Sequence, residues 1–378
     1  MSISFAEVPG NARVPGVYIE IDHSLANKAT ELQKVIVLAT GLADSKTPVD
    51  TPVLCMNADK AAELFGVTAE ITKMMVYLDK QGITLPIYAA AIGEMGMAGV
   101  LASLGDTQYD YFITSQNDTE SIRELTEFLE ARYKALEMIP GIAFMPKKGT
   151  HAELVTFGST SNCALISFMS INALGDAGGK DITDAEAVAG WAGQIAQSLS
   201  IDPCRPLQTL KVVGVYSKAA QEFDWAERNL LLHEGMGTYT VTSTGEVQIE
   251  RPVTAYTENA SGVADDSYLD VMTPATAMYF RQKQRSMILS RYGRHKLAKD
   301  GTSFAPGQAI VTPSEIHGAL LSLYKDLEQQ GIVQDYDGYK KTLIVRLDPN
   351  NAARINYQDS PQFVNGLIIT AGKIQFRK

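Results

Sequence analysis

The sequence predicts an α/β fold, with a mostly parallel sheet covered by helices on both faces and a smaller α+β unit after it. Continuous apolar runs such as residues 34–40 recur through the first part of the chain, and they are typical of strands buried on both faces. Helical stretches with one apolar face separate these runs. After about residue 235 the alternation ends, and a hairpin pattern and long helices follow.

The first unit, placed at residues 25–235, is predicted element by element. Strands are predicted near residues 34–40, 85–92, 109–114, 141–145 and 163–169, and helices near 58–65, 70–81, 117–136, 184–200 and 218–232. Gly82 is expected as a left-handed cap of the second helix. Asn117 or Asp118 is expected as the N-cap of the third.

The second unit, placed at residues 236–360, has a different pattern. Residues 238–243 and 246–251 flank Gly245 and predict an antiparallel hairpin. A helix is predicted over residues 274–289, and Thr312 followed by Pro313 predicts the start of another, which ends at Gly331. Residues 341–347 predict a strand and residues 348–351 a turn.

Both ends of the chain, residues 1–24 and 361–378, are predicted to be extended arms. Each has apolar residues typical of a strand, and no turn brings back a partner. Such a strand must pair with an edge in its own domain or with another chain, so assembly with copies of itself is expected. The residues expected to form these strands are Val17, Tyr18, Ile19, Glu20, Ile21, Leu367, Ile368, Ile369, Ile374 and Phe376.

Composition narrows the class of protein. The chain has 378 residues, 45% hydrophobic and 20% charged, which suits two globular domains. Its net charge of −10 disfavours a nucleic-acid coat, and no metal or cofactor motif is present. Cys55, Cys163 and Cys204 are expected as buried free thiols. No run approaches the ~18–20 apolar residues of a membrane span, and no secretory leader is recognisable, so folding in the cytoplasm without a membrane partner is expected.

One pair of short motifs suggests an enzyme. Gly149-Thr-His151 is similar to the sequence around a subtilase histidine, and Gly301-Thr-Ser303-Phe-Ala is similar to that around its serine. The chemistry also needs an aspartate that orients the histidine, and no Asp-[Ser/Thr]-Gly precedes His151. Two interpretations stand beside each other here: a serine hydrolase using His151 and Ser303, or two ordinary turns.

A basic run follows the first long helix of the second unit and overlaps its end. Its residues are Arg281, Lys283, Arg285, Arg291, Arg294, Lys296 and Lys299, with His295. Such a run forms either a solvated face or a contact with an acidic partner surface. Nucleic acid is disfavoured because only Tyr292 lies among these residues for base stacking.

Several motifs, in order along the whole chain, resemble the Mu-like branch of phage contractile tail sheath proteins. They are Arg13-Val-Pro-Gly-Val-Tyr-Ile-Glu20, Arg205-Pro-Leu-Gln-Thr-Leu-Lys211, Ile249-Glu-Arg251, Ser267-Tyr-Leu-Asp-Val271, Arg294-His-Lys-Leu-Ala298, residues 300–313 and Ala371-Gly-Lys-Ile-Gln-Phe376. One departure lies at residues 354–361, which are polar where relatives would be more apolar and richer in proline.

The resemblance implies a structural subunit of a phage tail, with a subtilisin-like first domain that lacks protease activity. It implies stacked rings of six subunits around a tail tube, joined by strands exchanged between neighbours, and contraction that drives the tube through the host envelope. Baseplate and tail terminator proteins are the other implied partners. Arg281, Lys283, Arg285, Arg291 and Arg294 are then expected to face the tube. Another injection-machine shell protein is the alternative.

Overall fold

The computed structural model describes residues 33–42, 45–305 and 307–377. The predicted N-terminal strand lies outside the described residues. The strands are β1 Val35–Ala39, β2 Val53–Leu54, β3 Ile87–Ala91, β4 Tyr111–Thr114, β5 Ile142–Lys148, β6 Ile166–Ile171, β7 Leu174–Gly175, β8 Lys211–Ser217, β9 Met236–Val241, β10 Glu246–Arg251, β11 Lys296–Leu297, β12 Ile310–Val311, β13 Val333–Gln334, β14 Ile344–Leu347, β15 Ile355–Gln358 and β16 Gln362–Phe363.

Ten helices are described between these strands. They are α1 Ala58–Phe65, α2 Glu70–Lys80, α3 Gly96–Ser103, α4 Thr119–Tyr133, α5 His151–Gly158, α6 Asp184–Ile201, α7 Trp225–His233, α8 Met272–Tyr292, α9 Pro313–Gln329 and α10 Tyr336–Thr342. The predicted helix at 218–232 begins later than expected, at Trp225, because Asp224 caps it by accepting from the N–H of Glu227 at 2.8 Å.

A ten-stranded sheet forms the first unit, in the order β2-β3-β1-β4-β5-β6-β9-β10-β8-β7. The six strands from β3 to β9 in this order are parallel. The strands outside them, β2 on one side and β10, β8 and β7 on the other, pair antiparallel. The sheet is therefore mixed, and the predicted mostly parallel arrangement holds for its middle.

Helices cover both faces of this sheet, as predicted. Along β1 the side chains of Val35, Val37 and Ala39 enter one core with residues of α1, α2 and α6. Ile36 and Leu38 enter a second core with residues of α3, α4, α5 and α7. All five β1 side chains are fully buried, which explains why the strand is apolar at every position.

Local signals at the helix ends agree with the predictions. Gly82 follows α2 with φ of 66°, the left-handed conformation that glycine adopts without strain. Asp118 caps α4 by accepting from the N–H of Ser121 at 3.1 Å. Thr312 and Glu315 form a capping box at α9, with Pro313 in the first turn.

The predicted hairpin is present, but it belongs to the large sheet. β9 pairs parallel with β6, and β10 pairs with both β9 and β8. The sheet thus extends to Arg251, beyond the boundary placed at residue 235. Sequence alone did not reveal this because a hairpin pattern does not specify which other strand it joins.

A separate core organises the second unit. Buried side chains of α8, α9 and α10 form it, including Phe280, Leu320 and Tyr324. The start of α8 packs into the first core through Met272 and Ala275, so this helix spans both units. In the described part of the chain, no helix combines the length and apolarity needed to cross a membrane.

Candidate assembly site

The C-terminal tail leaves the second unit along a fixed path. β16 pairs with β13, and the N–H of Val364 donates to the carbonyl of Ile332 at 3.1 Å. The tail then crosses to the first unit, where the side-chain amide of Gln208 donates to the carbonyl of Leu367 at 3.1 Å. Ile368 packs against the first core. Residues 362–368 are therefore attached to the subunit, and we call them the tail root.

Beyond the root, the tail has no support from the described chain. Residues 369–377 make no hydrogen bond with other described residues and are all exposed. Ile369 is 77% exposed, Ile374 93% and Phe376 83%. The predicted terminal strand is thus absent as a paired strand, although its apolar pattern remains on the surface. Water-exposed apolar side chains of this size in one segment indicate a surface for binding. We call these nine residues the free tail.

A two-stranded ribbon, β14–β15, provides open strand edges on the same subunit. Leu347 lies opposite Ile355 and Val345 opposite Tyr357. Neither outer edge of the ribbon is paired with another described strand. Unpaired edges present free N–H and C=O groups, to which an incoming strand can add.

The two faces of this ribbon differ. Val345 and Ile355 face inward and pack against the core of the second unit, and β14 contacts α9. Arg346, Asn356 and Gln358 are exposed on the outer face. A strand with alternating apolar residues, added at either edge, would therefore extend the inner apolar face and leave its polar residues outside.

Asp348 organises the turn of the ribbon. Its carboxylate accepts from the backbone N–H groups of Asn350 at 2.8 Å and Asn351 at 3.0 Å, and from the side-chain amide of Asn356 at 2.9 Å. These hydrogen bonds, that of Asn356 foremost, hold the pKa of Asp348 below its ordinary value. The predicted turn at residues 348–351 is present.

The strand β15 was missed by the sequence reasoning. The strand predicted at residues 341–347 corresponds to β14, but the polar stretch after the turn has low strand propensity. The available signal was the alternation of Ile355 and Tyr357 after a turn sequence.

The five residues expected to face a tube do not share one face of α8. Arg281 and Lys283, two residues apart, lie about 160° from each other around the helix. Arg281 donates through Nη1 to the backbone carbonyl of Tyr133 at 2.6 Å, and its guanidinium lies 4.6 Å from the centre of the Tyr133 ring. Lys283 lies 4.8 Å from the Tyr279 ring centre. Both side chains therefore have contacts within the subunit.

The other three basic residues are accessible. Arg285, Arg291 and Arg294 are exposed and form no ion pair or hydrogen bond within the described residues. Arg281 and Arg285 also line a cleft of about 130 Å³ between α8 and the first unit.

His151 and Ser303, the candidate residues of a serine hydrolase, lie in different parts of the fold. His151 is the first residue of α5 and its Nε2 donates to the carbonyl of Glu227 at 3.1 Å. Ser303 is exposed between β11 and β12, in the second unit. No hydrogen bond joins the two side chains in the described structure, and His151 has no carboxylate partner there. The arrangement lacks the contacts that a serine nucleophile and its base require.

Two of the motifs behind the resemblance contact each other, and a third has a contact at its end. Arg251 forms a bidentate ion pair with Asp270, at 2.7 and 2.9 Å, and this partner raises the pKa of the arginine. Asp300 accepts from the N–H of Ser314 at 3.0 Å, which lowers the pKa of that carboxyl. These residues fasten the second unit rather than form a catalytic site.

Two family models match the chain. The phage tail sheath protein central domain covers residues 90–255, and the phage tail sheath C-terminal domain covers residues 263–377. The chain belongs to the phage tail sheath proteins. This confirms the resemblance seen in the motifs, and it places the chain in a family of structural, non-enzymatic proteins.

One curated relative is the Mu-like prophage FluMu tail sheath protein of Haemophilus influenzae. It is 40% identical over 312 residues, which is 82% of this sheath chain and 60% of the relative. The chain thus spans less than two thirds of that relative's length.

Solved structures share the fold. A chain of the anti-feeding prophage baseplate is 13% identical and has a TM-score of 0.62, with 97% of this chain and 100% of that chain covered. A chain of the contracted helical sheath of the anti-feeding prophage is 14% identical with a TM-score of 0.62, covering 97% and 99%. At these identities the likeness shows the sheath fold, with its large mixed sheet.

Proposed function

We propose that this protein is the sheath subunit of a contractile phage tail. It polymerises as stacked rings of six around the tail tube, and contraction of the polymer drives the tube through the host envelope. The observation that carries the proposal is the free tail, a nine-residue segment with exposed apolar side chains and no partner in the described part of the chain, on a subunit that also has an open-edged ribbon. Because each chain has both a tail that can donate a strand and a ribbon that can accept one, neighbouring subunits make a head-to-tail contact. Repeated without closing into a ring, such a contact generates a helix.

In this proposal the free tail of one subunit adds to the β14–β15 ribbon of its neighbour. Nine extended residues span about 30 Å, enough to cross to an adjacent subunit. Ile374 and Phe376, which share one face of an extended strand, would extend the inner apolar face of the ribbon. The N-terminal segment, with Val17, Ile19 and Ile21 in alternation, would occupy the other edge.

Contraction then requires no break in the chain of subunits. Strand addition holds neighbours through main-chain hydrogen bonds while the folded units move as rigid bodies from an extended to a contracted packing. The extended form is a kinetic trap that the baseplate releases, without nucleotide hydrolysis. The first unit is of subtilisin-like architecture, put to a structural use.

The tube contact is proposed for the basic run. Arg285, Arg291 and Arg294 are accessible for it, whereas Arg281 and Lys283 would first have to give up their contacts with Tyr133 and Tyr279. Exposed ion pairs are individually weak and sensitive to salt, which suits a contact that is given up on contraction. The tail tube, baseplate and tail terminator proteins are the proposed partners, with assembly in the host cytoplasm before the sheath becomes part of the virion tail.

Negative-stain microscopy of the full chain with its tail tube protein tests the function. The expected result is a six-fold helical sleeve around tubes. Tubes that remain bare at sheath concentrations well above micromolar, with a folded subunit, would overturn it. Alkylphosphonate treatment should leave Ser303 unlabelled, which tests the hydrolase alternative.

A further inference from the structure

Asp359 lies where the polar stretch of residues 354–361 leads into the tail. Its carboxylate accepts from the side-chain amide of Gln284 in α8 and from the hydroxyl of Tyr339 in α10, the latter at 3.0 Å. Gln284 is only 7% exposed and Tyr339 is buried. One carboxylate thus joins two helices of the second unit to the start of the tail.

Both donors are held in place by other contacts. The Tyr339 ring stacks on Tyr324, with 3.7 Å between ring centres. The side-chain carbonyl of Gln284 accepts from the hydroxyl of Tyr357 at 3.4 Å. Burial, with Asp359 beside it, raises the pKa of Tyr339, so its hydroxyl stays protonated and donates.

Loss of this carboxylate would remove the acceptor that the buried Gln284 amide and Tyr339 hydroxyl share. An unsatisfied buried polar group is unfavourable, which makes the arrangement specific for an acceptor at position 359. This requirement accounts for the acidic residue at position 359, within the polar stretch 354–361 that departs from the expected apolar lead.

The contacts after Asp359 form a continuous series. β16 pairs with β13, and the tail then passes so close to Pro206 that a side chain at Gly366 would lie 2.7 Å from its ring. Gln208 and the first core hold Leu367 and Ile368. The Arg205–Lys211 motif, to which no role was assigned from sequence, therefore supports the tail root.

We propose that Asp359 is the positioning residue of the C-terminal arm. It fixes the base of the tail root, so that the free tail leaves the subunit at Ile368 and is presented to its neighbour from one point. The inference rests on the proposed function, because a fixed exit matters only if the free tail binds another subunit.

The expected rise in the critical concentration for polymerisation on tubes follows from the length of the tether. With the root fixed, the tether is residues 369–378, ten residues; with the root released, it is residues 360–378, nineteen residues, almost twice as long. The effective concentration of a tethered group falls roughly as the −3/2 power of tether length, so doubling the length lowers it about threefold.

The test uses the full-length chain with Asp359→Ala, the conservative Asp359→Asn, and Asp326→Ala as control. An Asn side chain keeps an acceptor oxygen, and Asp326 is an exposed acid on α9 with no side-chain hydrogen bond in the described structure. Two quantities are measured: hydrogen exchange of the Val364 amide in the unassembled subunit, and the critical concentration for polymerisation on tubes.

Asp359→Ala is expected to speed exchange at Val364, leave exchange in β1 unchanged and raise the critical concentration about threefold. Asp359→Asn and the control should match the wild type. The proposal would be overturned if Asp359→Ala had the wild-type exchange rate at Val364 and the wild-type critical concentration. It would also be overturned if exchange in β1 became faster by the same factor as exchange at Val364. If Asp359→Ala does not fold, Tyr339→Phe removes one donor and keeps the ring; an unchanged Val364 exchange rate in it overturns the proposal too.

The exchange readout separates this inference from the proposed function. If the wild-type chain forms no sleeve on tubes, the function fails, while Val364 exchange still decides whether Asp359 fixes the root.

Discussion

The free tail allows a sharp test of strand exchange with the double substitution Ile374→Ser/Phe376→Ser. Both side chains are almost fully exposed in the free subunit, so their replacement should change its free energy of unfolding by less than about 0.5 kcal/mol. In the polymer both would be buried against the neighbour's ribbon, where a large apolar side chain contributes about 1.5–3 kcal/mol. The loss is therefore about 4 kcal/mol for each junction.

Since 1.4 kcal/mol corresponds to a factor of ten in an equilibrium constant, the critical concentration should rise roughly a thousandfold. Sedimentation of polymer from a concentration series on tubes measures this, and thermal melting followed by circular dichroism measures the subunit. The matched control is Lys373→Ser/Gln375→Ser, which alters the polar face of the same segment. An unchanged critical concentration, or an equal rise in the control, would refute the strand-addition model.

Three further predictions follow from described contacts. Deleting residues 367–378 should leave a folded two-domain subunit that forms no sheath and has lost about 1–2 kcal/mol of stability, because the packing of Ile368 and the Gln208 hydrogen bond are removed. Deleting residues 369–378 should block assembly without a loss of stability. Normal polymers from either shortened chain would contradict this prediction. Replacing Arg285, Arg291 and Arg294 by glutamate should weaken assembly on tubes, most at low salt, and should leave polymers of the sheath protein alone unaffected. Lys325→Glu on α9 is the control. Unaltered binding to tubes would contradict the proposed contact. Burial raises the pKa of Cys55 and Cys163 to about 11, so iodoacetamide at pH 8 should alkylate the native protein far more slowly than the protein unfolded in guanidinium. The fold should lose stability as pH rises from about 9 to about 11, because over this range the thiols of the unfolded chain lose their protons first. Rapid labelling of the native protein, read by mass spectrometry, would contradict this prediction.

The buried centre of the fold was predictable because its signals are local. The apolar run of β1 and the Thr312-Pro313 start of α9 each specify their structure without reference to the rest of the chain. β8 escaped prediction because Gly214, with φ of 85°, interrupts its apolar residues at an irregular pairing with β10. The antiparallel ends of the sheet depend on pairings between distant segments, which residue pattern does not encode.

The assembly site was predictable only in part. The tail has the pattern of a strand, yet no described strand of its own chain pairs with residues 369–377. β15 is polar and becomes a strand through its pairing with β14. Basic character along α8 was visible in sequence, but the direction of each side chain was not, because Arg281 turns to Tyr133 for reasons of tertiary packing.

The two ends of the large sheet bear on the fidelity of assembly. Both outermost strands, β2 and β7, are only two residues long. Such short edges offer an incoming tail few backbone groups, whereas β14 and β15 each offer an edge of four residues. In the proposed polymer many free tails would be present at high local concentration, and pairing of a tail with the large sheet would compete with its addition to a ribbon. Short sheet edges would then leave the ribbon as the longer acceptor, which would suppress such mispairing.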